Sequence, residues 1–384
     1  MASYTKPDDD QVLVEQKSST RVIILNRTRQ LNALSFYMVS RLLEIFLEDE
    51  GNPDIKLVIM KGNGRAFCAG GDVSAVVRDV KGGDWRLGAK FFENEFKLNY
   101  LMATYSKPQV SILNGIVMGG GAGASIHGRF RVATEKTVFA MPETELGLFP
   151  DVGSSYFLSR LPGFFGEYVG LIGARLDGAE MLTCGLATHF VPSSKLPLLE
   201  ESLYKVENND ATAVSAIIDK YSEQPSLKED SVYHSRMDAI NRCFSRKTVE
   251  EILYYLEMEA MNNKADNWAS ATIQTLKKAS PTSLKVFLKL IRKARLQGVG
   301  QCLVTDYRVV CHVLQGRYSK DFFEGCRAIL IDKDRKPKWE PSRLELVSDS
   351  DVDGYFSKLD DEGWKDLELP ERLNNLPPYV ISKL

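Results

Sequence analysis

Three carboxylates lie in a segment that is otherwise largely apolar. Residues 139–153 read FAMPETELGLFPDVG and contain Glu143, Glu145 and Asp151. An unpaired carboxylate is unfavourable in apolar surroundings, and two neighbouring carboxylates raise the pKa of one of them. Such a segment can supply an acid, a base or a nucleophile, and the question is which of the three acids is merely solvated.

Two glycine-rich turns are the second feature with chemical potential. Residues 69–72 read AGGD after a predicted strand, and residues 119–123 read GGGAG at the start of a predicted helix. Glycine lets a backbone approach a ligand closely, and free N–H groups at a helix N-terminus favour negative charge. Two facing turns can hold an oxyanion between two backbone N–H groups, although tight packing would explain either turn alone. Neither turn matches the dinucleotide or Walker A fingerprints.

The elements that must position these residues alternate between short strands and helices. The pattern predicts a hairpin at 12–26, an amphipathic helix near 30–49, a strand at 55–62, a helix at 88–105 and strands near 108–115 and 130–143. Glycine becomes sparse after about residue 200, where helical patterns dominate. The sequence therefore predicts an α/β core at 10–200, a helical C-terminal region at 201–345 and a surface tail at 346–384.

Composition excludes several classes of function. The 384 residues include 49 basic and 51 acidic side chains, for a formal net charge of −2, which disfavours nucleic-acid binding driven by bulk charge. The six cysteines form no CxxC pair and the four histidines show no metal-ligand spacing, so neither a metal site nor a redox motif is expected. The glycines and polar residues within the longest uncharged run, 108–128, favour a buried strand, turn and helix over a membrane span.

Several motifs together carry a family resemblance. RAFCAGGD (65–72), NGIVMGGGAG (114–123) and the acidic segment, in this order and spacing, resemble the crotonase (enoyl-CoA hydratase/isomerase) superfamily. Further motifs extend the likeness to one branch, the 3-hydroxyisobutyryl-CoA hydrolases of the peroxisomal plant type: THFV (188–191), SPTSLK (280–285) and DFFEGCRAILIDKDRKPKW (321–339). The resemblance covers about residues 12–345. It implies a crotonase-like spiral of ββα units with a helical C-terminal region.

The resemblance also implies an acyl-CoA substrate whose thioester oxygen sits in an oxyanion hole. The matching backbone positions are Ala69 or its neighbour Gly70, and Gly120. An oxyanion hole suits such a reaction because enolate and tetrahedral intermediates both place negative charge on that oxygen.

The acids distinguish the branches of the superfamily. Its hydratases use two glutamates, and Glu143 matches the second, whereas Gly123 stands at the position of the first. Asp151 stands where hydratases usually have a small residue, and the hydrolase branch resembles this Glu143/Asp151 arrangement. Glu95 matches a further substrate-contacting acid of that branch, although a solvated helix face would also explain it. Glu95 or Asp151 is the expected partner of a substrate hydroxyl.

The expected function is hydrolysis of 3-hydroxyisobutyryl-CoA to 3-hydroxyisobutyrate and CoA, a step of valine breakdown. Glu143 would act as the nucleophile or as the general base on water, and the sequence leaves this choice open. Two alternatives are an enoyl-CoA hydratase or isomerase and a non-catalytic binding protein on the same fold. Gly123 disfavours the first, and the presence of Glu143 disfavours the second.

Other candidates have simpler expected roles. Glu145 is expected to be structural or solvated, and Asp72 to cap the helix that follows it. His127 is expected to be a buried histidine with a satisfied hydrogen bond, and Cys68 to pack in the core because nothing nearby marks a thiolate.

Partners follow from the same resemblance. Arg27, Lys61 and Arg65 flank the glycine turns and are candidates for the CoA phosphates, with plain surface charge as the alternative. No metal or redox cofactor is expected, since CoA is part of the substrate. The oligomeric state stays open, with a homo-oligomer as one outcome.

The last three residues, Ser382, Lys383 and Leu384, form the S-K-L tripeptide that a peroxisomal import receptor reads at a free C-terminus. A peroxisomal location is therefore expected.

Overall fold

Two β-sheets and a helical layer make up the fold. A computed structural model describes residues 11–229, 231–263 and 266–372. Within them ten strands are present: β1 (Val12–Lys17), β2 (Thr20–Leu25), β3 (Leu57–Gly62), β4 (Ala66–Cys68), β5 (Gln109–Leu113), β6 (Ile116–Met118), β7 (Phe130–Ala133), β8 (Val138–Ala140), β9 (Leu176–Asp177) and β10 (His189–Phe190).

Most of the remaining described chain is helical, and the helices are concentrated in its second half. The α-helices of the described residues are α1 (Phe36–Gly51), α2 (Val73–Lys81), α3 (Trp85–Ala103), α4 (Gly120–Ile126), α5 (Ser154–Leu158), α6 (Phe165–Ile172), α7 (Gly178–Cys184), α8 (Leu196–Leu203), α9 (Ala211–Asp219), α10 (Val232–Phe244), α11 (Val249–Asn262), α12 (Trp268–Lys278), α13 (Pro281–Ala294), α14 (Val299–Gln315), α15 (Asp321–Cys326) and α16 (Asp349–Gly354).

The sheets explain why distant motifs meet. The larger sheet has the order β1-β2-β3-β5-β7-β10, antiparallel only in the β1–β2 hairpin, and the smaller sheet has the order β4-β6-β8-β9. Strands β4, β6 and β8 are adjacent and parallel. The two glycine turns and the acidic segment each follow one of these strands, so all three leave the same edge of the smaller sheet, where ligands of α/β folds commonly bind. The predicted α/β spiral is confirmed.

Two faces of the larger sheet bury different cores. Val58 and Met60 of β3 point into the main core, whereas Leu57 and Ile59 point into a smaller core beneath α8 and α9. The main core also contains side chains from α10 through α16, and α14 packs along α3. The helical region therefore shares a core with the first 200 residues. The proposed domain boundaries stay a prediction.

The segment after residue 345 lies over the surface but is anchored by apolar side chains. Val347, Val352, Tyr355, Leu359 and Leu367 are buried. The C-terminal tripeptide 382–384 lies outside the described residues.

Candidate active site

A small cavity lies at the shared edge of β4, β6 and β8. It has a volume of about 70 Å³, and its polar lining combines backbone from both glycine turns with the carboxylates Glu95, Glu143 and Asp151. Phe91 and Phe92 of α3 and Leu148 supply apolar walls. The structure thus brings the predicted acids and the predicted oxyanion turns together in one place.

Glycine is required where the two turns touch the acids. A Cβ atom built on Gly119 would lie 2.6 Å from Glu143 Oε1, and one built on Gly120 would overlap Glu95 Oε1. Gly119 also has a φ of +50°, a conformation that residues with a side chain seldom adopt. Any larger residue at these positions would occupy the space of a carboxylate.

The backbone N–H groups of the turns differ in availability. The Ala69 N–H donates to the Leu31 carbonyl at 3.0 Å, so of the two expected positions, Ala69 or Gly70, the first already has an acceptor, and Gly70 stays the predicted oxyanion donor. Gly71 N lies 3.0 Å from a Cβ built on Gly120, which places the two turns face to face. Among the described residues, no hydrogen-bond acceptor is found for the N–H of Gly70, Gly71 or Gly120. Gly71 was not among the predicted donors, because the direction of an N–H within a turn has no local sequence signal.

All three acids are almost completely buried. Glu95, Glu143 and Asp151 expose 2%, 5% and 4% of their surface. Glu95 Oε1 and Glu143 Oε2 have no hydrogen-bond partner among the described residues. No arginine or lysine of the described residues forms an ion pair with any of the three. This is an arrangement that burial normally penalises, because the backbone hydrogen bonds to the Glu143 and Asp151 carboxylates compensate only part of the lost hydration.

Burial also shifts the protonation of these acids. It raises the pKa of Glu143 well above its usual range, and the nearby charges of Asp151 and Glu95 raise it further. Burial also raises the pKa of Glu95, and the nearby charge of Asp151 raises it further. Burial raises the pKa of Asp151 to about 7. The three groups therefore do not all carry charge near neutral pH, and the set offers both proton donors and proton acceptors.

Different elements hold each acid. Glu143 begins a short 3-10 helix, Glu143–Leu146, directly after β8, and its carbonyl accepts a hydrogen bond from the Leu148 N–H at 3.1 Å. Asp151 lies in the turn before α5. Glu95 lies on the buried face of α3, which begins at the side-chain cap of Asp84. The solvated-face explanation for Glu95 is therefore wrong.

Gly123, which the family resemblance matches to a hydratase glutamate, has no room for a side chain. A Cβ built on Gly123 would lie 2.6 Å from Val152 Cβ and within 3.0 Å of both its methyl groups. Val152 follows Asp151 directly, so the turn that presents one acid also fills the space of another.

The secondary candidates mostly have the expected surroundings. Asp72 caps α2 by accepting a hydrogen bond from the Ala75 N–H at 3.1 Å, and Glu145 is exposed. Cys68 is buried, and burial raises the pKa of its thiol to about 12. His127 is buried with its Nε2 2.7 Å from the Val152 carbonyl oxygen.

The three basic candidates for CoA binding have different environments. Arg27 donates to Asp72 at 2.8 Å beside the first glycine turn. Lys61 pairs with Glu200 of α8, and it shares the sheet face of Leu57 and Ile59, which is opposite to the face of the main core. Arg65 is exposed. Their binding to CoA stays a prediction.

The described residues contain neither a metal-binding cluster nor a membrane-spanning helix. In residues 11–229, 231–263 and 266–372, no group of three or more His, Cys, Asp or Glu side chains is arranged to hold a metal ion. Across the same residues, no helix combines the length and the apolar character of a membrane span.

The fold and the cavity define an acyl-CoA enzyme of the crotonase type, and comparison with known proteins agrees. The family model described as enoyl-CoA hydratase/isomerase matches residues 20–356, and the chain belongs to this family. A crystal structure of a carnitinyl-CoA dehydratase from Mycobacterium thermoresistibile superposes with a TM-score of 0.84 at 33% identity, covering 95% of this chain and 100% of that one.

Two full-length relatives are hydrolases by name. It is 67% identical to 3-hydroxyisobutyryl-CoA hydrolase 1 of Arabidopsis thaliana, over 97% of this chain and 98% of the relative. It is 64% identical to the probable 3-hydroxyisobutyryl-CoA hydrolase 2 of the same plant, over 100% and 99%.

Proposed function

We propose that this chain hydrolyses 3-hydroxyisobutyryl-CoA to 3-hydroxyisobutyrate and CoA, a step of valine breakdown. The full-length similarity to enzymes of that name supports the substrate. The observation that carries the reaction type is the pairing of Glu143 and Asp151 at the cavity, with the Gly123 position closed by Val152. Both acids then come from one segment, and the second glutamate of a hydratase has no room.

The oxyanion hole begins the proposed reaction. The thioester oxygen accepts hydrogen bonds from the N–H of Gly120 and from that of Gly70 or Gly71. Negative charge that develops on this oxygen is stabilised by donors that are already in place, an effect on the order of 3 kcal/mol for each donor.

Glu143 supplies the next step in one of two ways. As a general base it takes a proton from water while the water oxygen bonds to the acyl carbon, and the tetrahedral intermediate then expels the CoA thiolate, which is protonated. As a nucleophile it displaces the thiolate to form a mixed anhydride, which water then hydrolyses. Both routes need Glu143 to lose its proton, which its raised pKa disfavours while making the resulting carboxylate a stronger base, and both need a proton for the departing sulfur. The protonated forms of Asp151 and Glu95 are the available donors near neutral pH.

Glu95 and Asp151 are also the candidates for binding the hydroxyl of the acyl group. A 3-hydroxyacyl chain carries a hydroxyl that needs a partner inside an otherwise apolar cavity, and a site built around a hydroxyl strongly rejects analogues that lack it. Glu95 Oε1, buried beside Gly120 with no partner among the described residues, suits this role.

A panel of CoA thioesters, monitored for release of free thiol, tests the proposal. The 3-hydroxyisobutyryl thioester is expected to turn over at least 100-fold faster than the isobutyryl thioester, which lacks the hydroxyl. Equal rates would overturn the assigned specificity. A crotonyl thioester that gains water without releasing thiol would instead establish a hydratase, and a wild-type protein with no activity on any thioester would establish a binding protein.

Location, cofactors and assembly complete the proposal. We infer import into peroxisomes through Ser382, Lys383 and Leu384, which a fluorescent fusion at the N-terminus would test. Deletion of the three residues should leave the fusion in the cytosol.

Activity is expected to survive dialysis against a chelator, since the proposed steps use only protein groups and CoA. Sedimentation analysis would decide whether the chain forms a homo-oligomer.

A further inference from the structure

The turn that carries Asp151 has an unfavourable backbone. Val152 has a φ of +52°, and Gly153 has a φ of +72°. The left-handed region suits glycine, but a β-branched residue such as valine is a clear outlier there. Such a conformation persists only where surrounding contacts enforce it, and it is commonly found at functional sites.

Two buried side chains hold this turn through its backbone. His127 Nε2 lies 2.7 Å from the Val152 carbonyl oxygen, and the Gly153 N–H donates to Asp306 Oδ2 at 2.8 Å. Burial lowers the pKa of His127 to about 4, so the ring is neutral and its Nε2–H donates to the carbonyl. A carbonyl and an N–H of consecutive residues are thus each held by a side chain.

Asp306 is an acidic side chain that is completely buried, which is unusual for a purely structural contact. It lies on α14, 153 residues from Gly153 in sequence, and exposes 0% of its surface. Its second oxygen, Oδ1, has no partner among the described residues. One backbone N–H does not compensate for burying a carboxylate, so burial, together with the nearby charge of Asp151, raises the pKa of Asp306 well above its usual range. A neutral, well-packed side chain would serve stability better at this position.

We propose that Asp306 is a positioning residue for Asp151, acting through the Gly153 N–H with His127 as its counterpart on Val152. By enforcing the left-handed turn, Asp306 directs the Asp151 carboxylate into the cavity and keeps Val152 over Gly123. The helical C-terminal region thereby contributes to a site that is otherwise built from the first 160 residues. The catalytic part of this inference rests on the proposed function.

The first test compares Asp306→Ala with Asp306→Asn. Alanine leaves the Gly153 N–H without an acceptor, whereas asparagine keeps one at nearly the same place. In Asp306→Ala, kcat for the 3-hydroxyisobutyryl thioester is expected to fall about 100-fold while KM changes less than about threefold, because small displacements of reacting groups cost rates of this size. Asp306→Asn is expected to stay within about fivefold of wild type.

A readout independent of turnover separates this inference from the proposed function. Hydrogen exchange of the peptide covering residues 148–157 is expected to be at least tenfold faster in Asp306→Ala and near wild type in Asp306→Asn. If the wild-type protein had no thioesterase activity, the function would fail, and the exchange rates would still decide whether Asp306 holds the turn. Unchanged exchange in a folded Asp306→Ala protein would overturn the inference.

A double-mutant cycle with Asp151→Asn tests whether Asp306 acts through Asp151. If it does, adding Asp306→Ala to Asp151→Asn should lower kcat by less than about threefold more. Fully multiplicative losses would mean a general structural role and would overturn the proposal.

Should Asp306→Ala fail to fold, the same logic applies to the other side of the turn. His127→Gln keeps an N–H donor for the Val152 carbonyl, whereas His127→Leu removes it. His127→Leu is expected to show the exchange and kcat losses, with His127→Gln partly restored. Wild-type behaviour of a folded His127→Leu protein would contradict the proposal.

Discussion

Two buried glutamates of this protein have opposite surroundings. Glu167 on α6 is fully buried. Its Oε1 accepts a hydrogen bond from Arg295 at 2.7 Å and forms an ion pair with Arg292 Nε at 3.0 Å; Arg292 lies on α13, and Arg295 directly follows this helix. Glu143 is nearly as buried, but it faces two glycine turns and other acids, and it forms no ion pair with an arginine or lysine of the described residues. The same side chain is paired with two guanidinium groups in one place and has no cationic partner among the described residues in the other.

The difference separates a structural acid from a functional one. A buried carboxylate with two guanidinium partners joins two helices, and removing it would leave positive charge behind. A buried carboxylate among other carboxylates weakens the fold, so it is retained where its perturbed pKa is useful. This contrast predicts that substitutions in the two regions will have opposite effects on activity and stability.

The largest expected effect is the loss of activity in Glu143→Gln. Glutamine has the same shape but neither accepts a proton nor attacks an acyl carbon, so kcat is expected to fall at least about 1,000-fold. Thiol release from the 3-hydroxyisobutyryl thioester measures it, with circular dichroism to confirm the fold. A variant that keeps a tenth of wild-type kcat would remove Glu143 from the chemistry.

Glu167→Gln is expected to act on stability instead. It leaves Arg292 and Arg295 with a neutral partner and should lower the free energy of unfolding by about 3 kcal/mol. The midpoint of urea denaturation measures this, and kcat of the folded protein should stay within about twofold of wild type. A loss of kcat comparable to that of Glu143→Gln would break the distinction between the two regions.

Asp151→Asn should change stability in the other direction, and in a pH-dependent way. Burial raises the pKa of Asp151 from 3.8 to about 7. Between these pH values the folded state binds a proton that the unfolded state lacks, so the wild type loses stability as pH rises through this window. The variant lacks this loss and is expected to be more stable than wild type at pH 8, on the order of 2 kcal/mol.

Thermal unfolding of both proteins at pH 4 and pH 8 measures the effect of Asp151→Asn. The difference between variant and wild type should shrink towards pH 4, where the wild-type carboxyl is protonated in the folded state. A variant that is less stable than wild type at pH 8 would show that the Asp151 carboxylate is compensated by contacts.

The smallest effect is expected for Glu145→Gln, the matched control for Glu143→Gln. The two positions differ by two residues in one 3-10 helix, but Glu145 is exposed. A solvated carboxylate away from the cavity contributes little, so kcat and the unfolding free energy should stay within about twofold and about 0.5 kcal/mol of wild type. A large loss of kcat would show that proximity in sequence, not burial, selects the reactive acid.

Much of the site could be predicted because its signals are local. The spacing of the apolar residues predicts strands and helices. The glycine clusters and the acids can be identified in the sequence because they lie in the segments that follow β4, β6 and β8. The identity of residue 123 is also visible in the sequence, and a glycine cannot transfer protons. These features concern one residue or one short segment, so the order of residues along the chain is enough to identify them.

The remaining features depend on contacts between residues far apart in sequence, and only the tertiary structure decided them. The Ala69 N–H donates a hydrogen bond to the Leu31 carbonyl, and Lys61 forms an ion pair with Glu200. Asp306 accepts a hydrogen bond from the Gly153 N–H, although the two residues are 153 positions apart in the sequence. The sequence by itself determined which chemical groups are present and which strand each follows. Packing decided which groups are buried without a partner and which N–H groups stay free, because hydration and hydrogen bonding depend on neighbours in space.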